Sequence, residues 1–208
     1  MSYFNQLYLE KQKQLEANAE TGKHNNGIQA RFVANKFVDR YLKEFDEFDL
    51  PLNSMRLNYL VQLVDLIFRS QNGGNLFCDD YIVTTNGLAI LPLLYGYSYL
   101  TEDRQFARNY LLHYETEYQM KYKSFVGNEF NDKIDFLVKK VLLGTRYIET
   151  DRLKFMLNFK NIQQTKFNCL EFENYQLPQE IISKLFKDFD FTKFEELNEK
   201  QKTKFQNI

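Results

Sequence analysis

The sequence predicts a mainly α fold: a single compact multi-helix domain with a short β-hairpin or extended arm near residues 76–90. Three observations lead there. Apolar residues recur at helical spacing along most of the chain, beginning with Ile28, Phe32, Val33, Phe37 and Tyr41. One β-branched and aromatic run, Tyr81-Ile82-Val83-Thr84-Thr85, breaks that spacing and is followed by the turn pair Asn86-Gly87. The chain has 208 residues, of which 44% are hydrophobic, enough to bury a sizeable core.

Residues 2–20 are rich in helix formers but weakly periodic, which predicts an exposed helix ending in the polar loop 21–27. The helix from Ile28 follows, then an acidic break at residues 44–49 closed by Pro51. Asn53 or Ser54 caps the next helix, whose Met55, Leu57, Leu60, Val61, Leu63, Val64, Leu66, Ile67 and Phe68 cover most of its circumference. A helix apolar on nearly every side belongs at the centre of the fold. Gly73-Gly74 stops it, and the strand and turn at 81–87 come next. Pro92 suits the first turn of a short helix running to about Leu100. Beyond it, Thr101 caps a helix with Phe106, Tyr110, Tyr114 and Tyr118 spaced by four. Asn131 caps another that buries Ile134, Leu137, Val138, Val141 and Leu142 and stops at Gly144. Short helices are expected from Thr150 and Pro178, and a last one from Thr192, with Glu195 completing a capping box.

The formal net charge is −1, so no overall basic field draws the chain to nucleic acid, and no nucleic-acid partner is expected. From Tyr81 to Thr101 no residue is charged for 21 positions, about the length of a membrane span. That window holds Asn86, Gly87, Pro92, Gly96 and several hydroxyl residues, however, so it reads as buried core and no membrane contact is expected. The first residues lack a basic stretch followed by an apolar one, and the two cysteines, Cys78 and Cys169, form no CxxC. Both features suit a cytoplasmic protein whose cysteines are small buried apolar groups.

No constellation for catalysis stands out. His24 falls in a polar loop and His113 in the Tyr-rich helix, neither with partners at metal-ligand spacing. Gly73-Gly74 lacks the strand before and helix after that a phosphate loop requires. No catalytic residue, metal or cofactor is therefore expected. Asp79-Asp80 reads either as ordinary turn chemistry or as a partner contact. No Lys or Arg occurs between Arg69 and Arg104, a pattern that fits either buried core or a neutral-to-acidic surface for a basic partner.

One stretch carries a resemblance. Met55-Arg56-Leu57-Asn58-Tyr59-Leu60-Val61-Gln62-Leu63, then Leu76-Phe77-Cys78-Asp79-Asp80, then Asn86-Gly87-Leu88-Ala89 resemble in order and spacing the Panacea domain family, phage-associated proteins that include the SocA-type antitoxins. Upstream, Val33-Ala34-Asn35-Lys36-Phe37 is similar to that family's entry helix; downstream, Asp135-Phe136-Leu137 to Val141 and then Leu153 are similar to its closing helices. Where the family has Lys, this chain has Tyr59; the family's Trp before the turn is missing; and Leu88 replaces the Pro after glycine. The resemblance implies three regions: an N-terminal helical extension at 1–28, a Panacea-like domain at 29–165 and a C-terminal helical extension at 166–208. It also implies a non-enzymatic protein that neutralises a partner toxin, encoded nearby, by direct binding or as a proteolytic adaptor. Asp79, Asp80, Asn86, Gly87 and Tyr95 are then the expected partner-binding residues. An enzyme or nucleic-acid-processing factor, or a phage accessory protein acting on a host factor, are the competing readings. The sequence leaves the oligomeric state open.

Overall fold

The computed structural model describes residues 28–44, 50–72, 76–79, 81–84, 87–97, 100, 128–157, 176–177, 182, 184, 186 and 188–206. The expected helices at 2–20 and from Thr101, the Gly73-Gly74 stop, His24, His113 and Cys169 lie outside them. Six helices are found among these residues: α1 (Ala30–Glu44), α2 (Ser54–Asn72), α3 (Leu91–Gly96), α4 (Asn128–Gly144), α5 (Thr150–Met156) and α6 (Thr192–Phe205). A small sheet of β1 (Tyr81–Thr84), β2 (Gly87–Ile90) and β3 (Gln176–Leu177) completes them, in the order β2-β1-β3. The fold is mainly α, as its periodicity predicts.

The centre is α2. It packs against α1, α3, α4, α5 and β2, and every residue from Arg56 to Ile67 is buried. Asn53 begins it as expected, its Oδ1 accepting from the Arg56 backbone N–H at 2.8 Å. Around it α1 contributes Val33, Ala34, Phe37 and Val38, while α4 contributes Ile134, Leu137, Val138, Val141 and Leu142. Lys36 and Asp135 join these two flanking helices through a 2.8 Å ion pair.

The hairpin forms where the β-branched run predicts it. Tyr81 pairs with Ile90 and Thr84 with Gly87, antiparallel. Gly87 holds φ at 103°, a left-handed conformation that costs glycine little, and its carbonyl accepts from the Thr84 hydroxyl at 2.8 Å. Pro92 lies in the first turn of α3, which ends at Gly96, four residues short of the expected Leu100. The sheet's third strand, β3, pairs Leu177 with Tyr81 and Gln176 with Ile82. Ile182, Phe191 and Phe194 join the same core, so described residues of the C-terminal region take part in the hydrophobic interior.

Two caps differ from expectation. Helix α4 starts at Asn128, leaving Asn131 inside it, where its amide reaches Asp135. Helix α6 starts at Thr192, but no capping box closes: the Asp190 carboxylate instead accepts from both the Thr192 backbone N–H and its hydroxyl. A side chain two residues upstream satisfies the helix end without Glu195. At the other end of α4, Gly144 lets α6 approach closely. A Cβ there would meet two Phe191 ring carbons at 3.0 Å.

Candidate partner-binding surface

The polar residues of the stretch that carries the family resemblance are tied into the interior. Asn58, Gln62 and Asp65, all fully buried, occupy successive turns of α2. Asn58 Oδ1 accepts from the Ile90 backbone N–H at 3.1 Å and from Gln62 Nε2 at 3.2 Å. The same Gln62 amide donates to the Leu88 carbonyl at 2.8 Å. These two carboxamides therefore hold β2 against the central helix through its backbone.

Asp65 gathers a second set of contacts. Its Oδ2 accepts from Arg69 Nε at 2.7 Å and from the Tyr81 hydroxyl at 2.6 Å, and its Oδ1 accepts from the Leu76 N–H at 3.1 Å. One carboxylate thus joins the end of α2, the following loop and β1. Burial first, and Asp65 beside it second, hold the Tyr81 phenol well above its usual range. At the other end of α2, Arg56 donates to the Ile148 and Thr145 carbonyls at 2.5 and 2.9 Å, fixing the turn between α4 and α5.

Of the expected partner-binding residues, Asp79 is the one whose side chain the structure places, and it lies in the interior. Asp79 is buried at 6% exposure, and its carboxylate accepts from the Ala30 N–H at 2.5 Å. It caps the start of α1 from 49 residues away in the chain. Asp79 thus works as a structural cap for a distant helix. The adjacent backbone supports it, because Ile28 N–H donates to the Leu76 carbonyl and Cys78 N–H to the Ile28 carbonyl. Cys78 itself, expected to be buried, is exposed. Gly87 serves the hairpin turn and Tyr95 lies on α3, while Asp80 and Asn86 fall outside the described residues. The hairpin is no protruding arm, since Tyr81, Ile82, Leu88, Ala89 and Ile90 are all buried. Within the base-free stretch, Leu76, Phe77, Tyr81, Ile82, Leu88, Ala89, Ile90, Leu93 and Tyr97 are core.

A different place offers a recess. Asn53, Met55 and Tyr59, from the start of α2, face Glu149, Thr150, Asp151 and Lys154 of α5 across an open cleft of about 320 Å³. Burial, reinforced by the Asp151 carboxylate, pushes the Tyr59 phenol up to about 12, so at neutral pH it stays protonated. Phe155, one residue beyond Lys154 and one helical turn from Asp151, is 57% exposed with the Arg152 guanidinium 5.5 Å from its ring centre. A recess lined by two carboxylates, hydroxyls and one ammonium can accept a polar or charged side chain. Sequence reading missed it because Glu149-Thr150-Asp151 looks only like a helix start.

Among the described residues, no group of three or more His, Cys, Asp or Glu comes together in a way that could hold a metal ion. Nor is any helix among them long and apolar enough to cross a membrane. No family model, curated protein or solved structure matches the chain.

Proposed function

We propose that the protein is a non-enzymatic interaction module, resembling the Panacea-type antitoxins, that acts in the cytoplasm by holding a partner toxin inactive or delivering it to a protease. The observation that carries this reading is the cleft between α2 and α5, together with the exposed Phe155 on the same helix as its Asp151 and Lys154. That helix is anchored in the core by Leu153, which is fully buried. Protein interfaces use such an aromatic anchor for affinity and the charges around it for orientation. A second support is that Asn58, Gln62, Asp65 and Asp79 are committed to backbone and phenol contacts that hold the fold. The polar groups in the family-like stretch thus act as architecture, and recognition falls to the surface.

A second reading attaches to the same cleft, because Tyr59, Glu149, Asp151 and Lys154 also resemble the lining of a small-molecule site. One experiment separates the two. The chain is co-expressed with the products of its neighbouring open reading frames, and both growth rescue and co-purification are scored. An interaction module rescues growth from one toxic neighbour and co-purifies with it, and Asp151→Lys with Phe155→Ser abolishes both while leaving thermal unfolding unchanged. If rescue persists with the cleft disrupted, the docking surface has been misplaced. If no neighbour is toxic or retained, the antitoxin reading fails.

A further inference from the structure

We propose that the outward face of α4 is a self-association surface, on which a second copy of this chain packs antiparallel. Helix α4 is two-sided. Ile134, Leu137, Val138, Val141 and Leu142 turn into the core, while Phe136 is 66% and Leu143 46% exposed. These two lie seven residues apart, so they share one stripe of the helix, two turns from each other. The full stripe reads Glu129, Asp132, Phe136, Lys139, Leu143, with successive spacings of three or four. The first four of these residues are all exposed, as is Leu143.

Charge order along the stripe selects the occupant. On the stripe Glu129 and Asp132 precede Phe136 and Lys139 follows it, while the neighbouring Lys133 turns aside to Asn72 and the Phe68 ring. An antiparallel copy can set Asp132 of each stripe against Lys139 of the other, with the two Phe136 rings meeting between them. A parallel copy would set like charges side by side. Antiparallel pairing also suits a two-fold axis perpendicular to the helix, each patch being complementary to itself. Acids early and bases late in a helix also favour its own macrodipole. That effect acts within one chain and gives no account of a phenylalanine left two-thirds in water. A single helix face lies at the low end of interface size, so the dimer is weak and concentration-dependent.

The test needs only the full-length chain, because the surface lies apart from the α2–α5 cleft and its fate is independent of the proposed partner. Sedimentation velocity over a concentration series should show a monomer–dimer equilibrium. Phe136→Glu should remove the dimer across the whole series. Asp132→Lys and Lys139→Glu, each alone, should weaken self-association at least tenfold by making the stripe nearly uniform in sign. Mixing these two variants should restore a dimer that contains one of each. Circular dichroism melts of all three should match the parent, since the substituted residues are exposed. A parent that stays monomeric at its highest soluble concentration overturns the proposal. So does a dimer indifferent to Phe136→Glu, or a mixture that associates no better than its components. Binding of anionic vesicles that Phe136→Glu abolishes, with the parent monomeric, would assign the face to a lipid surface instead.

Discussion

Helices α2 and α4 are similar in length and both carry runs of aliphatic residues, yet they meet water in opposite ways. Helix α2 is enclosed by five neighbouring elements, and even its Asn58, Gln62 and Asp65 are fully buried. Helix α4 buries one face and leaves Phe136 and Leu143 on the other. Polarity therefore misleads in both helices: the interior one uses polar groups to hold backbone, and the outer one exposes apolar groups. The polar groups in the middle of this protein hold its backbone together.

The sharpest way to break that contrast is to strike α2. Asp65→Ala removes one acceptor shared by Arg69, Tyr81 and Leu76. Deleting one member of a buried charged pair costs about 3–5 kcal/mol, and urea denaturation should show a loss of that size. Leu63→Ala, at 0% exposure in the same helix, should cost about 2–5 kcal/mol through the cavity it leaves. If either variant unfolds at the parent's midpoint, α2 is not the centre described here.

How much of this was legible beforehand follows from the range of each interaction. The enclosed nature of α2 could be read because its apolar residues run around the whole circumference. The hairpin could be read because a β-branched run meets Asn86-Gly87. Asp79 could not, since a cap supplied across 49 residues leaves no local pattern, and next to Asp80 it looks like any turn acid. Strand β3 is only two residues long and carries no alternation to detect. The α2–α5 cleft joins residues about a hundred positions apart, and exposure of Phe136 depends on which face of α4 the core takes.

Asp79 sharpens the comparison at intermediate size. Asp79→Ala should cost about 0.5–2 kcal/mol, the usual range for losing an N-cap acceptor. Amide exchange should rise first at Ala30 and the residues just after it. Asp79→Lys should do worse, placing a cation at a helix N-terminus. A fully stable Asp79→Lys chain would return the residue to the surface.

The buried phenols add a pH signature. Tyr59 and Tyr81 are both raised, Tyr59 to about 12, chiefly by burial. In the unfolded chain a tyrosine loses its proton near about pH 10. Above that point the folded state binds more protons than the unfolded one, so stability must fall as pH rises. Urea midpoints should be level below pH 9 to 10 and decline through pH 12. Tyr59→Phe should make the decline shallower, and an unchanged slope would mean that this phenol is not held protonated.

The smallest stability effect is expected at α4. Phe136→Ser should change unfolding by no more than about 0.5 kcal/mol, as is usual for exposed positions away from caps and buried networks. Serine and phenylalanine have nearly the same helix propensity, so the exchange costs little in the helix itself. Its ring is mostly in water, so little burial is forfeited in the monomer. The expectation holds only at concentrations where the chain is monomeric, because a dimer through this face would add its own free energy to the parent. Denaturation at two concentrations therefore reads both quantities at once. At low concentration parent and variant should coincide, and at high concentration the parent alone should gain stability. Destabilisation of Phe136→Ser by more than about 1 kcal/mol in the dilute sample would show that the ring supports the monomer's own packing, and the distinction between the two helices would then fail at its outer member.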